Sequence, residues 1–377
     1  MKTNFSAVWA ACLAAAAIPA LAHHSFAAEF DEKKSVTLKG IVSKFDWSNP
    51  HVFVDIDVTE ANGKITTWES EWESRIELKR AGWKADSMKP GDAVTVEGNV
   101  SRDGGKRIGG KSLTLAGGKK FTAPSETPPG VSQGGARAAA KPAPRWPDGH
   151  VRLGIGPGEI GYWANASSSG LIESSAQGVR MNRDGLLANI ADTNKVAPFQ
   201  PWAKGLYEYR QRNLLKDDPM ASCLPPGGPR QFQVPYGLQI LEDPERKRIF
   251  IMSGGGNRNW RLIYLDDRPL PDIDSATPTY FGNSVGKWEG GTLVLHTVGF
   301  NERFWFTNGG LPHTEKMRLV ERISRPDFNT LKYEVTVDDP GAYTRPWSGG
   351  WTLQWVPDQE MEEYFCDDNN KDRIPDK

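Results

Sequence analysis

Three runs in this chain alternate apolar and polar residues with period two: Gly291–Val298, Met317–Ser324 and Thr330–Val337. Successive side chains of a strand point to opposite faces, so a period of two over such lengths specifies half-buried β-strands. Within the stretch Phe281–Trp347 the runs are separated by Gly, Asn, Pro and Asp clusters, which supply turns. Shorter runs come before them at FQV, GLQIL, KRIFIM and NWRLIYLD, and after them at Trp351–Val356 and Glu363–Cys366. About nine short strands with no βαβ rhythm specify an antiparallel meander, a lipocalin-like β-barrel or a sandwich. The hairpin-like succession favours the up-and-down barrel.

The N-terminus is of another kind. Residues 1–22 carry Lys2 and then an Ala-rich apolar run ending Ala20-Leu21-Ala22. This is the pattern of a cleaved secretory signal peptide, too short for a comfortable transmembrane span. The expected product is an exported, periplasmic protein with no transmembrane segment after signal cleavage. Export gives meaning to the cysteines, since Cys12 leaves with the leader and Cys223 and Cys366 remain. In an oxidising compartment this pair is expected to form a disulfide closing a loop of about 140 residues. The formal charge of −1 becomes −2 without Lys2. A near-neutral balance argues against a nucleic-acid partner.

Residues 23–120 read as a small β-barrel. Val36–Phe45 is a strand with Gly40 marking a bend or bulge, His51–Val58 alternates, and Asn62-Gly63 turns the chain into Lys64–Glu71. Ser74 caps a short helix, and Ala93–Val100 and Lys111–Leu115 complete five strands. Strand-strand-strand-helix-strand-strand is the OB-like order. The motifs His23-His24-Ser25-Phe26, Asn49-Pro50-His51, Gly82-Trp83 and Lys89-Pro90-Gly91-Asp92 make this part similar to an uncharacterised family of exported bacterial small-barrel domains. That resemblance implies a fold and an address, and no activity. Residues 121–149, rich in Pro, Gly and Ala, read as a linker to a larger antiparallel β domain at 150–377. In its approach segment Gly161–Ala166 reads as a strand, and Pro201–Lys216 as a helix that stops at Asp217-Asp218-Pro219.

A second set of motifs lies in the larger domain. Gly282, Ser284, Gly286, Trp288-Glu289-Gly290, Pro312-His313-Thr314-Glu315 and Asp339-Pro340-Gly341 through Tyr343-Thr344-Arg345-Pro346-Trp347 resemble a second uncharacterised group of exported bacterial proteins, over about 217–369. Gly286-Lys287-Trp288 also resembles the G-x-W of lipocalins, although lipocalins carry it on their first strand. Gly282 to Gly286 has the letters of a G-x-S-x-G nucleophile elbow, but the elbow needs a strand-to-helix turn in an α/β sheet, which a β meander does not supply.

The residues nominated for chemistry follow from strand parity. If the 313–323 run is a strand throughout, His313, Glu315 and Glu321 share the inward face with Met317 and Leu319. A hairpin centred near Asp327 sets Leu319 opposite Val335 and Glu315 opposite Asp339, gathering His313, Glu315 and Asp339 at one end of the barrel. Adjacent carboxylates raise one another's pKa and prepare acid–base chemistry. Trp288, Tyr333, Tyr343, Arg345 and Trp347 are the expected ligand-binding residues. At the other end of the chain, cleavage after Ala22 would make His23 the first residue. A free α-amine beside the imidazoles of His23 and His24, with His51 near, suits Cu(II) or Ni(II). The leading expectation is an exported protein binding a small, partly apolar molecule in the larger β domain. The alternatives are an acid–base enzyme of hydratase, isomerase or lyase type using His313 with Glu315 or Asp339, and a copper-binding protein built on His23, His24 and His51.

Overall fold

A computed structural model describes residues 26–124, 141–164, 166, 170–182, 184–256 and 259–366. The chain is mainly β and forms two barrels. After a single turn, α1 (Phe26–Glu29), the small barrel comprises β1 (Phe30–Asp46), β2 (Val52–Thr59), β3 (Ile65–Trp72), helix α2 (Arg75–Arg80), β4 (Ala93–Ser101) and β5 (Arg107–Leu115), with a short β6 (Lys120–Thr122) added at the edge. The pairs β1–β2, β2–β3, β3–β5, β5–β4 and β4–β1 close a ring, with β3–β5 parallel and the rest antiparallel. This is the OB-like order expected from the sequence.

The length of β1 makes this closure possible, because its first half pairs with β4 and its second half with β2. The bulge lies between Val42 and Lys44 rather than at Gly40. Gly40 serves a different need: a Cβ there would lie 2.4 Å from the Asp57 carbonyl oxygen, so only glycine lets β2 approach. Ser74 caps α2 by accepting the Glu77 N–H at 3.2 Å. Leu78 of that helix and Trp83 beyond it are buried under the barrel, where Trp83 packs between Trp72 and Phe121.

The larger barrel begins with β7 (Gly161–Trp163), followed by the short helix α3 (Thr193–Val196) and α4 (Pro201–Arg212). Then come β8 (Leu238–Asp243), β9 (Arg248–Ser253), β10 (Trp260–Tyr264), β11 (Asn283–Glu289), β12 (Thr292–Val298), β13 (Arg318–Asp327), β14 (Thr330–Asp338) and β15 (Trp347–Pro357). The nine strands close in chain order, with β15 paired to β7. A closed meander with an odd number of strands must contain one parallel pair. Here it is β10–β11, and residues 265–282 form the crossover that a parallel pair requires.

Two expected strands are absent from this ring. The FQV stretch lies at the end of a buried 3-10 turn, Gly228–Phe232, whose Gly227 and Gly228 have positive φ; Phe232 stacks on Tyr333 at 4.1 Å. Glu363–Cys366 joins no ladder and packs between Ile76 of the small barrel and Cys223 and Tyr236 of the larger domain. Conversely β7, expected from sequence as a strand of the approach segment, is a stave of the barrel itself. No helix among the described residues is long and apolar enough to cross a membrane.

Candidate ligand cleft

The nominated acid–base cluster depends on the β13–β14 register. Leu319 faces Val337 and Arg318 faces Asp338, so the pairing is displaced by two residues from the expected Leu319–Val335. The strand starts only at Arg318, and Thr314–Met317 is a turn closed by the Met317 N–H on the Thr314 carbonyl at 3.1 Å. Period-two parity therefore does not reach back to Glu315. Its side chain is exposed, and its backbone N–H donates to Glu302 Oε1 at 3.3 Å.

Asp339 staples a loop. It accepts the Thr314 N–H at 2.7 Å, the Thr314 hydroxyl at 2.6 Å and the Gly341 N–H at 3.1 Å. Burial raises its pKa, against the pull of these bonds. His313 packs between Phe304 and Phe306, and its Nε2 donates to the Phe304 carbonyl at 3.0 Å. Burial lowers its pKa to about 4, leaving a neutral imidazole near pH 7. Glu321 has no exposed surface and pairs with Arg261. Thr297 and Tyr333 donate to the same carboxylate, and the Arg261 guanidinium donates to Ser284 and Thr297 as well.

The expected ligand-binding residues are mostly core. Tyr333 spends its hydroxyl on Glu321 at 2.8 Å, and Tyr343 donates to the Pro312 carbonyl at 2.8 Å. Trp347 packs on Phe306 and Tyr343. Arg345 faces outward and pairs with Glu173 at 2.7 Å, and Trp288 stacks on His150 with ring centroids 5.3 Å apart. These five side chains do not converge on a cavity. Of the expected metal ligands, His23 and His24 lie outside the described residues. His51 Nδ1 is bonded to the Glu71 carboxylate. Burial opposes the His51 charge, but Glu71, Glu77 and Glu73 outweigh it and raise the pKa. Among the described residues no group of three or more His, Cys, Asp or Glu is placed to hold a metal ion. Cys223 and Cys366 are joined in a disulfide.

The stronger candidate lies between the barrels. A cleft of about 460 Å³ is bounded by α1, the β4–β5 turn and the end of α4. Ala28 and Leu214 supply apolar wall. Around them stand four cations, Arg102, Arg107, Arg212 and Lys216, against the two carboxylates of Glu29 and Asp103. Arg107 is bound to Glu29, and Asp103 is occupied by the Ser101 hydroxyl and the Gly105 N–H, which lower its pKa. Arg102 and Arg212 also have partners just outside the cleft, Asp31 at 3.8 Å and Glu208 at 3.7 Å, and with Lys216 they leave the lining itself richer in cations than in carboxylates.

One wall of this cleft is strained. Leu214 and Leu215 are consecutive non-glycine residues in the left-handed region, with φ of 56° and 59°. That conformation costs an L-residue roughly 1–2 kcal/mol. The surrounding bonds impose it: Leu214 N–H donates to the Gln211 carbonyl, Leu215 N–H to that of Arg210, and Asp218 N–H to that of Leu215. Asp218 is in turn clamped by two bonds from the buried Arg230. Strain held in this way is often found at ligand sites. The sequence carries a trace of it, in the helix stop at Asp217-Asp218-Pro219. Nothing in the sequence brings residues 101–107 beside 212–216.

Residues 10–111 match a family described as a family of unknown function, DUF6152. The match takes in most of the small barrel and does not extend to the stretch from Asp217 to Asn369. No curated protein and no solved structure matches the chain.

Proposed function

We propose that this chain is an exported, periplasmic protein that binds a small molecule with an apolar body and an anionic group in the cleft between its two barrels. The observation that carries this reading is the excess of four cations, Arg102, Arg107, Arg212 and Lys216, over the two carboxylates of the lining, around the apolar wall of Ala28 and the strained Leu214. The size supports it too, since pockets for small ligands run to about 300–1,000 Å³. An anion would meet donors on both barrels, and its apolar part would cover Leu214. The expected location thus moves from the interior of the larger barrel, where Phe232, Tyr333, Trp351 and Trp355 are packed, to the seam beside it.

The test is a matched probe series. Octanoate, octyl sulfate and octanol carry a linear apolar chain of nearly equal length and differ in the head group. The two anions are expected to bind and raise the melting temperature with the logarithm of ligand excess, and octanol to bind at least about tenfold more weakly. Replacing both Arg212 and Lys216 by alanine should remove that preference. Equal binding of octanol and octanoate, or an unchanged preference in the double variant, would refute the reading.

A further inference from the structure

A second cleft is lined by residues of both barrels, and its walls are charged in a different way. After Pro357 the chain leaves β15 and crosses the small barrel as residues 358–366, ending at the disulfide from Cys366 to Cys223. The Glu363 carbonyl accepts from Asn49 Nδ2 and Arg75 Nη2, both at 3.2 Å. Tyr364 lies against Tyr236 with ring centroids 4.4 Å apart, and Ile76, Cys223 and Cys366 complete a small apolar core. Beside that core opens a cleft of about 440 Å³.

Its charges are segregated by wall. Helix α2 presents Lys79 and Arg80, and the crossing segment presents Glu360 and Glu362. Ile76 and Tyr162 form the apolar part between them. Lys79 Nζ reaches Glu362 Oε2 at 2.8 Å, spending one of its three donors. The Arg80 guanidinium lies over the Tyr162 ring, 5.4 Å from its centroid, and gives one of its five donors to the Tyr162 hydroxyl. Two cations and two carboxylates line the cleft from opposite walls, with Lys79 and Glu362 already bridging them at one point. A ligand carrying a single charge would be matched on one wall and would desolvate the opposite wall without compensation. A ligand with a carboxylate at one end and an ammonium at the other satisfies both.

We infer that this cleft is a second binding site, selective for a small zwitterion bearing an apolar or aromatic side group: a free α-amino acid or a short peptide. The carboxylate lies toward Lys79 and Arg80, the ammonium toward Glu360 and Glu362, and the side group over Ile76 and Tyr162. The ligand then spans the seam, touching the small barrel on one side and the C-terminal segment on the other.

Three probes with one side group test this on the full disulfide-bonded chain: phenylalanine, phenethylamine and 3-phenylpropionate, titrated by calorimetry up to about 10 mM. Phenylalanine is expected to bind at least about tenfold more tightly than either singly charged analogue. Arg80→Gln should erase its advantage over phenethylamine. Glu360→Gln, at an exposed position, should narrow its advantage over 3-phenylpropionate without disturbing the fold. Arg212→Ala/Lys216→Ala should leave phenylalanine binding unchanged, which separates this site from the octanoate cleft. Equal affinities for the three probes, absence of saturable phenylalanine binding, or an unaltered preference in Glu360→Gln would overturn the inference.

Discussion

At His313 the imidazole lies between two phenylalanine rings with Nε2 on a backbone carbonyl, and its chemistry is that of a buried neutral group. A pKa lowered from 6.5 to about 4 means that the folded chain refuses a proton that the unfolded chain takes up. The stability this provides is fully present above pH 6.5 and is lost as pH falls towards 4, up to roughly 3 kcal/mol. His51 has the opposite sign: its raised pKa adds stability below pH 6.5, which disappears as pH rises through the folded value. We therefore expect His313→Asn to flatten the acid limb of a urea-midpoint profile between pH 6.5 and 4 relative to wild type. Parallel profiles would show that His313 is not held neutral. Glu321 illustrates the other way of burying a charge. Its desolvation is outweighed by Arg261, Tyr333 and Thr297, so its pKa is lowered even at zero exposure.

Among the elements, the β13–β14 hairpin shows what a sequence pattern can and cannot resolve. Leu331, Tyr333, Val335 and Val337 are buried, while Lys332, Glu334 and Asp338 are exposed, as the alternation requires. Burial of each such apolar side chain is worth about 1.5–3 kcal/mol, so a one-residue slip is forbidden. A two-residue slip keeps every face and costs nothing in the pattern. That is why the faces were legible and the pairing of Glu315 with Asp339 was not. The end of α4 yields a prediction at the same scale. Leu214→Gly relieves a left-handed leucine but gains unfolded-state entropy, so stability should rise or hold within about 1 kcal/mol. Octanoate affinity should fall as the apolar wall is lost. A drop of several degrees in melting temperature would mean that the leucine is not strained.

For the whole molecule the decisive contact is the seam. The disulfide fixes the end of residues 358–366, and that segment holds α2 through Glu362 and Glu363. Cys223→Ser/Cys366→Ser should cost about 2–5 kcal/mol in all. It should also act locally, with hydrogen exchange rising in Arg75–Arg80 and residues 358–366 while β12–β14 keep their protection. A uniform rise, or none, would show that the disulfide does not couple the barrels.

The sequence by itself determined the two β bodies, the OB-like strand order with its capped helix, the disulfide pair and the faces of the larger barrel's strands. These follow from local rules: period two, turn chemistry, capping and cysteine count. Only the tertiary structure decided the β13–β14 register, the closure through β7 and the parallel β10–β11 pair, because each depends on pairing between distant segments. It also decided that Arg261, rather than a sequence neighbour, neutralises Glu321, and that the lumen is filled by Phe232 and the aromatic core. Both clefts lie at a seam that brings residues about 110 and 280 positions apart together. Local pattern has no information over such separations, whereas the folded contacts do.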